Sequence, residues 1–509
     1  MAGRLVSGGR ELPATRLAER ATRAANAFKS LGVGESDAVA LLLRNDFSFF
    51  EASRAASLLG AFSVPINWHF TGAEVAYIVK DSGAKLLVVH ADLLAAVQAE
   101  LPAELPVIVV ETAPEIAAAY GVPAGATGVA ADNTNWDSWI EQFPATPLPP
   151  KPAPSAVIYT SGTTGRPKGV RRNAPTAENM VGFGKIVARV CCPTPDARTI
   201  VSGPMYHAAP NAWGLTFAQV GAEIWLSPRF DAEGLLRAID EYRLTHLFLV
   251  PTMFVRLLKL PEEARRKYDV SSLKFVSHAS APCPPDVKRR MIEWWGPVIT
   301  EYYGSTETGS VTFCTSADWL AHPGTVGRAL DDTVIKIFDE NRKELTAGEV
   351  GEIYARNYNY TDFNYHRDPG KRAEVDIDGL ITSGDLGYLD RDGFLFICDR
   401  RKDMIISGGV NIYPAEVESC LINLKGVKDC AVFGIPDDEY GESLAAVVQL
   451  EDGVSLTVEV VRDFLAGSLA RYKLPKLIQF AKDLPREDSG KIKKRLLREP
   501  YWEKAGRRV

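Results

Sequence analysis

AVIYTSGTTGRPKGV, residues 156–170, puts an apolar lead-in (Ala156, Val157, Ile158) directly before a run of hydroxyls, glycines and one lysine. The lead-in reads as a strand. The run after it contains almost nothing that could pack into a core, so it reads as a loop at the strand's end. Gly162 and Gly165 allow tight or positive-φ turns that leave amide N–H groups pointing outward. Ser161, Thr163 and Thr164 add hydroxyl donors, and Lys168 adds a mobile positive charge. Together these are the chemistry of a polyphosphate cradle. A Walker-type loop needs G-x-x-x-x-G-K-[ST]. Counting from Gly162, the sixth position is Pro167, and Lys168 is followed by Gly169, so that reading fails. Taken alone, the segment is also compatible with a plain Gly/Thr surface turn.

The flanking sequence supplies a frame for such a loop. On its N-terminal side, Leu17, Ala21, Ala24, Phe28 and Leu31 recur at helical spacing until Gly32-Val33-Gly34, and AVALLL (38–43) then reads as a buried strand. Helices near 47–59 and 72–81 alternate with strands at 62–67 and 85–90. This alternation predicts a parallel sheet covered on both faces. Residues 133–155, with ATPLPPKPAPS, predict an exposed connection. A second round comes next, with strands at 156–160, 198–203, 223–227, 246–250 and 273–278. From about 323 to 400 short strands and turns predict an antiparallel β-rich subdomain, and the last hundred or so residues return to alternating strands and helices. The expected fold class is α/β: a large N-terminal domain of two α/β layered subdomains plus a β-rich subdomain, and a small mobile C-terminal α+β domain.

At 509 residues the chain exceeds what one core usually supports. It is 46% hydrophobic and 24% charged, the balance of an ordinary globular protein. Lys+Arg 58 against Asp+Glu 64 gives a net charge of −6, which offers no whole-molecule attraction for nucleic acid or anionic lipid. Any anion must be met by a local site. The seven cysteines (191, 192, 283, 314, 398, 420, 430) form no C-x-x-C pair, and their odd number argues against a disulfide framework. No stretch of about 18 apolar residues and no signal-type run is present, so no integral membrane segment is expected and the cytoplasm is the default location. The seven histidines include no H-E-x-x-H and no close pair, which argues against a dedicated transition-metal site.

The loop does not stand alone. YTSGTTGRPKGV (159–170) resembles the phosphate-loop signature of the adenylate-forming superfamily of acyl-CoA synthetases, aryl-CoA ligases, luciferases and peptide-synthetase adenylation domains. Four more segments occur in that family's order: EYYGSTETG (301–309), ITSGDLGYLDRDGF (381–394), DRRKDMIISGGVNIYPAEVE (399–418) and PREDSGKIKKRLL (485–497). The match covers nearly the whole chain, and five motifs in the family's order make coincidence very improbable. The resemblance implies an N-terminal domain over 1–401 with the ATP and acyl sites, and a mobile C-terminal domain over 402–509.

Residue by residue, the resemblance implies ATP-phosphate contacts from Thr160, Ser161, Gly162, Thr163, Thr164, Gly165 and Lys168. It sets Tyr303 against the adenine, Thr306 on the α-phosphate and Glu307 on Mg²⁺. An aromatic face suits a base, a hydroxyl suits phosphate, and a carboxylate is a hard ligand for a hard cation. Asp385 would accept from the ribose hydroxyls with Arg400 nearby, and SHASAPCPP (277–285), with Ala281, would line the adenine and acyl sites. In PMYHAAPN (204–211), His207 would sit near the acyl carboxylate, with Trp213 lining the pocket. Many relatives carry Asn where this chain has Glu301, which leaves a nucleotide contact at that position open.

Lys491 carries the most mechanism. A carboxylate approaching a phosphate brings two negative groups together, and a positioned ammonium offsets the repulsion in the transition state. Lys402 aligns with the hinge about which the small domain turns between half-reactions, withdrawing Lys491 and presenting Gly408-Gly409 to coenzyme A.

The implied activity is an ATP-dependent carboxylic acid–CoA ligase working through an acyl-adenylate. The implied substrate is a medium- or long-chain fatty acid or a bulky alicyclic acid, and an aryl or arylpropenoic acid fits the same motifs. Small residues at Ala208, Ala209 and Gly214 hint at a roomy pocket. Transfer to a separate carrier protein is a rival, and a silent nucleotide sensor is another. Joint retention of Lys168, Glu307, Asp385 and Lys491 argues against the sensor. A homodimer is the assembly that the resemblance raises.

Overall fold

In the computed structural model, which describes residues 3–160, 168–365, 369–486 and 491–504, the first strand–helix alternation forms a five-stranded sheet. Its order is Phe62–Pro65, Ala38–Leu42, Ala84–His90, Val107–Val110 and Thr134–Asn135, with every pairing parallel. Local sequence explains the helices. Gly72–Ser82 starts at Thr71, whose hydroxyl accepts from the Glu74 N–H while Glu74 caps in return, and it ends at Gly83 in the left-handed region (φ 66°). In Ala14–Ser30, Leu17, Ala21, Ala24 and Phe28 form the buried face, whereas Leu31 lies past the helix end and is exposed.

The second round builds a much larger sheet. Its parallel half runs Arg4–Ser7, Glu223–Leu226, Arg198–Val201, His246–Leu249, Phe275–His278 and Ile299–Ser305. The antiparallel strands of residues 309–400 continue from that last strand without a break, beginning with Gly309–Cys314 and Thr325–Ala329. One core joins the two layer systems, because Leu41 and Phe50 of the first pack in the same cluster as Trp213, Phe217 and Ile224 of the second.

Two local expectations change, and one strand stands where the sequence pattern predicts none. The strand Ile158–Thr160 is not part of the second parallel array. It pairs antiparallel with Lys168–Arg172, which also pairs with Phe363–Tyr365, to give a separate three-stranded sheet. Residues 133–155 are not wholly an exposed connection, because Trp136–Ile140 is helical and Trp136 is buried with its Nε1–H donating to Glu51 (2.7 Å). The strand Arg4–Ser7 carries few apolar residues, and nothing in the sequence pattern announces it.

The C-terminal part forms its own sheet around the long hairpin Val427–Asp437 and Gly441–Leu450, with a separate core that includes Ile405, Val417, Leu421, Val448 and Leu465. One of its contacts with the large domain is made by Lys259. That ammonium donates to the carbonyls of Val427 and Lys428 (2.6 Å each), and its Nζ lies 3.7 Å from Glu451. No helix among the described residues is long and apolar enough to cross a membrane.

Candidate active site

Between the large and small domains lies a cleft of ≈ 3550 Å³, and the motifs of the sequence converge on it. Lys168, His207, Ala281, Tyr303, Thr306, Glu307, Asp385, Arg400, Lys402 and Lys491 all contribute to its walls. Ser161, Gly162, Thr163, Thr164 and Gly165 lie outside the described residues, as does the side chain of Thr160.

The ribose-type end is built across the large sheet. Asp385 and Arg400 are cross-strand partners, and Arg400 Nε lies 3.2 Å from Asp385 Oδ1. Three strands lie between Asp385 and Tyr303 in sheet order, yet the Tyr303 hydroxyl donates to Asp385 Oδ2 (2.7 Å), as does the Ser383 hydroxyl (3.1 Å). Sheet twist makes such an approach feasible. Burial, with the Asp385 carboxylate adding to it, pushes the Tyr303 phenol well above its usual value, so it remains a donor. The loop leaving Phe275–His278 passes beside this end, and Ser280 there adopts φ 76°, a conformation non-glycine residues rarely take.

At the phosphate end, the strand Ile299–Ser305 turns back into Gly309–Cys314 through Thr306, Glu307 and Thr308. Reciprocal bonds between Ser305 and Thr308 (3.0 and 3.1 Å) fix the turn. Glycine is required beside it, since a Cβ on Gly304 would lie 1.9 Å from the Gly309 carbonyl oxygen. Tyr365 donates its hydroxyl to Glu307 Oε1 (3.1 Å), and Lys168 Nζ lies 5.7 Å from the centre of the same ring. Lysine, carboxylate and hydroxyl-bearing turn therefore occupy one corner. A single carboxylate with neighbouring hydroxyls fits Mg²⁺, which keeps several waters and arrives on phosphate oxygens.

Two residues that the sequence leaves unassigned shape the acid side. Asn45 donates to the Gly203 carbonyl (2.9 Å) and accepts from the Met205 N–H (2.9 Å), while Asn211 donates to the Met205 carbonyl (2.9 Å). All of these groups are buried, and they fix the loop that leads into His207 at the start of helix Ala208–Gln219. Nothing in residue type alone separates such asparagines from surface ones. Tyr365 and Arg172 escape sequence reasoning for the same reason. Arg172 donates to the carbonyls of Thr306, Glu307 and Thr361.

Ala209 and Trp213 line the cleft, although Trp213 is mostly core: its Nε1–H donates to Thr199 (2.9 Å) and its ring packs on Phe217 and Phe248. Gly214 does not leave space for a ligand. A Cβ there would meet Met205 Cε at 3.1 Å and Phe50 Cζ at 3.3 Å, so its small size serves core packing. Glu301 is among the residues that line the cleft, and it pairs with the fully buried Lys288, beside a neutral His278 whose pKa burial drives well down.

The hinge-side elements lie where the small domain joins. Arg498 Nη1 donates to the Lys402 carbonyl (3.2 Å), and Lys494, three residues after Lys491, pairs with Glu418 (2.7 Å). Gly408 and Gly409, with φ 57° and 81°, form the turn between Ile405–Ser407 and Val410–Ile412. They are not among the residues that line the cleft. This conformation brings Lys491 to the cleft and holds the glycine turn apart from it.

Residues 4–362 match the family model described as AMP-binding enzyme, and residues 416–491 match the AMP-binding enzyme C-terminal domain. The chain is 31% identical over 493 residues to the indoleacetate–CoA ligase of Aromatoleum aromaticum, covering 95% of this chain and 92% of that one. It is 32% identical over 493 residues to the long-chain-fatty-acid–CoA ligase FadD13 of Mycobacterium tuberculosis, covering 94% and 91%. Its fold superposes on the ATP-bound crystal structure of MatB from Rhodopseudomonas palustris with a TM-score of 0.82, at 28% identity and 98% and 96% coverage.

Proposed function

Since the chain belongs to the AMP-binding enzyme family, whose members related to it are AMP-forming acyl- and aryl-CoA ligases using ATP, Mg²⁺ and coenzyme A, we propose which residues carry the reaction and which acid it takes. The observation that carries the reading is the convergence of Lys168, Thr306, Glu307, Asp385 and Lys491 on one cleft.

In the first half-reaction an oxygen of the substrate carboxylate forms a bond to the α-phosphorus of ATP while the bond from that phosphorus to the α,β-bridging oxygen breaks, releasing pyrophosphate. Asp385 and Tyr303 hold the nucleoside, and Thr306 and Lys168 hold phosphate oxygens. Glu307 would hold Mg²⁺, which neutralises charge on the leaving pyrophosphate. Lys491 offsets the repulsion between carboxylate and phosphate. His207, at the head of its helix, faces the carboxylate. In the second half-reaction the coenzyme A thiolate attacks the acyl carbon and AMP leaves as a stabilised phosphate. No enzyme nucleophile is required. We take the boundary between the domains at 401/402, with Lys402 as the hinge that brings Gly408-Gly409 to the thiol.

The acid we propose is medium- or long-chain, or bulky and alicyclic. Support comes from apolar groups lining the cleft, Val187, Val190, Trp213 and Phe248, together with Ala209, which offers only a methyl group one helical turn from Trp213. Ala209→Trp is expected to lower kcat/KM for bulky acids about tenfold or more relative to a short acid, the scale of a few excluded methylenes. An unchanged profile across chain lengths would remove Ala209 from the acid's path.

The direct test is incubation with ATP, Mg²⁺ and a panel of aliphatic, alicyclic, steroidal and aromatic acids, with and without coenzyme A, read by mass spectrometry. Acyl-CoA formed only with coenzyme A supports the reading and identifies the acid. Acyl-adenylate that persists in its presence would point to a carrier-protein acceptor. The same reading sets the reaction in the cytoplasm, and sizing the purified protein tests a homodimer.

A further inference from the structure

Arg172 sits at the end of the strand Lys168–Arg172, four residues beyond Lys168 and, by the two-residue period of a strand, on the same face. Its guanidinium makes three hydrogen bonds, each to a main-chain carbonyl: Nη2 to Thr306 (2.9 Å) and Glu307 (3.0 Å), and Nη1 to Thr361 (2.7 Å). No carboxylate among the described residues forms an ion pair with it, and its cation lies over the Tyr360 ring (5.0 Å). A guanidinium that commits its hydrogen bonds to tying main chain to main chain, with Glu307 and Asp362 near enough to act on its charge but neither paired with it, is an unusual use of an arginine.

These contacts join three parts of the site. Lys168–Arg172 is the strand that leaves the phosphate loop, Thr306 and Glu307 form the turn, and Thr361 precedes the strand Phe363–Tyr365, whose Tyr365 donates to Glu307. Peptide planarity gives the contacts a second effect: a carbonyl drawn toward Arg172 directs the N–H of the same peptide unit the opposite way. Holding the Thr306 carbonyl therefore aims the Glu307 N–H away from the guanidinium.

We propose that Arg172 is a positioning residue for nucleotide activation, fixing the spacing between Lys168 and the Thr306-Glu307 turn so that pyrophosphate, α-phosphate and Mg²⁺ are met together. The inference rests on the roles proposed above for Lys168, Thr306 and Glu307. Its positive charge adds to the potential that attracts the triphosphate.

The test begins with the wild-type protein. Absence of any acid-dependent adenylate or thioester would overturn the function itself, whereas the variants address only Arg172. Arg172→Met keeps the length and removes the charge and the donors. In calorimetric titration with the α,β-methylene analogue of ATP and Mg²⁺, affinity is expected to fall about tenfold or more, as loss of charge-assisted hydrogen bonds implies. In steady state the KM for Mg·ATP should rise while the KM for the acid stays within about twofold, because the acid wall is untouched. Arg172→Lys should recover part of the nucleotide affinity, since it restores charge without the fork geometry. Wild-type affinity for the analogue in Arg172→Met, or equal rises in both KM values, would overturn the proposal. Should the methionine variant not fold, the lysine variant decides: a raised Mg·ATP KM with an unchanged acid KM upholds the assignment, and unchanged values for both overturn it.

Discussion

Lys491→Ala is expected to slow acyl-adenylate formation by on the order of 10²–10³-fold, the cost of removing a group aimed at developing charge in a water-poor site. Thioester formation from supplied acyl-adenylate should stay close to wild type, because the phosphate repulsion that Lys491 is proposed to offset belongs only to the first half-reaction. Acid-dependent exchange of pyrophosphate into ATP measures the first step, and release of AMP from synthetic acyl-adenylate and coenzyme A measures the second. A loss shared equally between the steps would show that Lys491 acts through folding or domain docking. That control matters because Lys494, on the same segment, pairs with Glu418 and carries part of the domain's packing.

The second large effect is expected at the opposite end of the cycle. Lys402→Pro fixes φ near the value that proline's ring allows and restricts Arg401 before it. In this conformation no hydrogen bond from the Lys402 N–H is found among the described residues, so none is lost, and the cost falls on the turn that the Asp403 N–H closes onto the Arg400 carbonyl, where proline disfavours the helical region for Arg401. If Lys402 is the hinge as proposed, rotation to the thioester-forming arrangement requires that torsion to change, and the locked ring opposes it. Adenylation is expected to persist while overall acyl-CoA formation falls by about 10²-fold or more, as when a conformational step becomes limiting. Wild-type overall turnover in this variant would exclude a hinge at Lys402.

These contrasting predictions rest on elements that are unequally visible in the sequence. Strands such as 38–42 and 223–226 are short apolar runs bounded by turn residues, and their burial on both faces makes them legible. Asp385 and Tyr303 can be named from motifs, but the hydrogen bond between them joins strands that are not neighbours, and no local pattern encodes it. The reading of Gly214 as pocket space fails because a glycine carries no sign of what fills the space beside it. Met205 and Phe50, the latter distant in sequence, do so. Glu301 shows the complementary case. Its partner Lys288 lies on the helix Pro285–Trp295, and the pairing draws Glu301 to the helix while Tyr303 reaches Asp385. Asn45, Arg172 and Tyr365 act through main-chain carbonyls, a backbone N–H or a carboxylate far along the chain, so composition gives no warning of them.

The contact made by Lys259 bears on the tempo of the enzyme. An ammonium held by two carbonyls of the small domain, with Glu451 at 3.7 Å, exchanges those bonds for water at a net cost of about 1.5–3 kcal/mol each, because protein–water bonds replace protein–protein ones. In the proposed rotation the catch would be a detent: firm enough to give the small domain a preferred stop while the adenylate forms, and shallow enough to be passed in a catalytic cycle. A residue that gripped harder there would stabilise this stop, and turnover would slow although each chemical step kept its barrier.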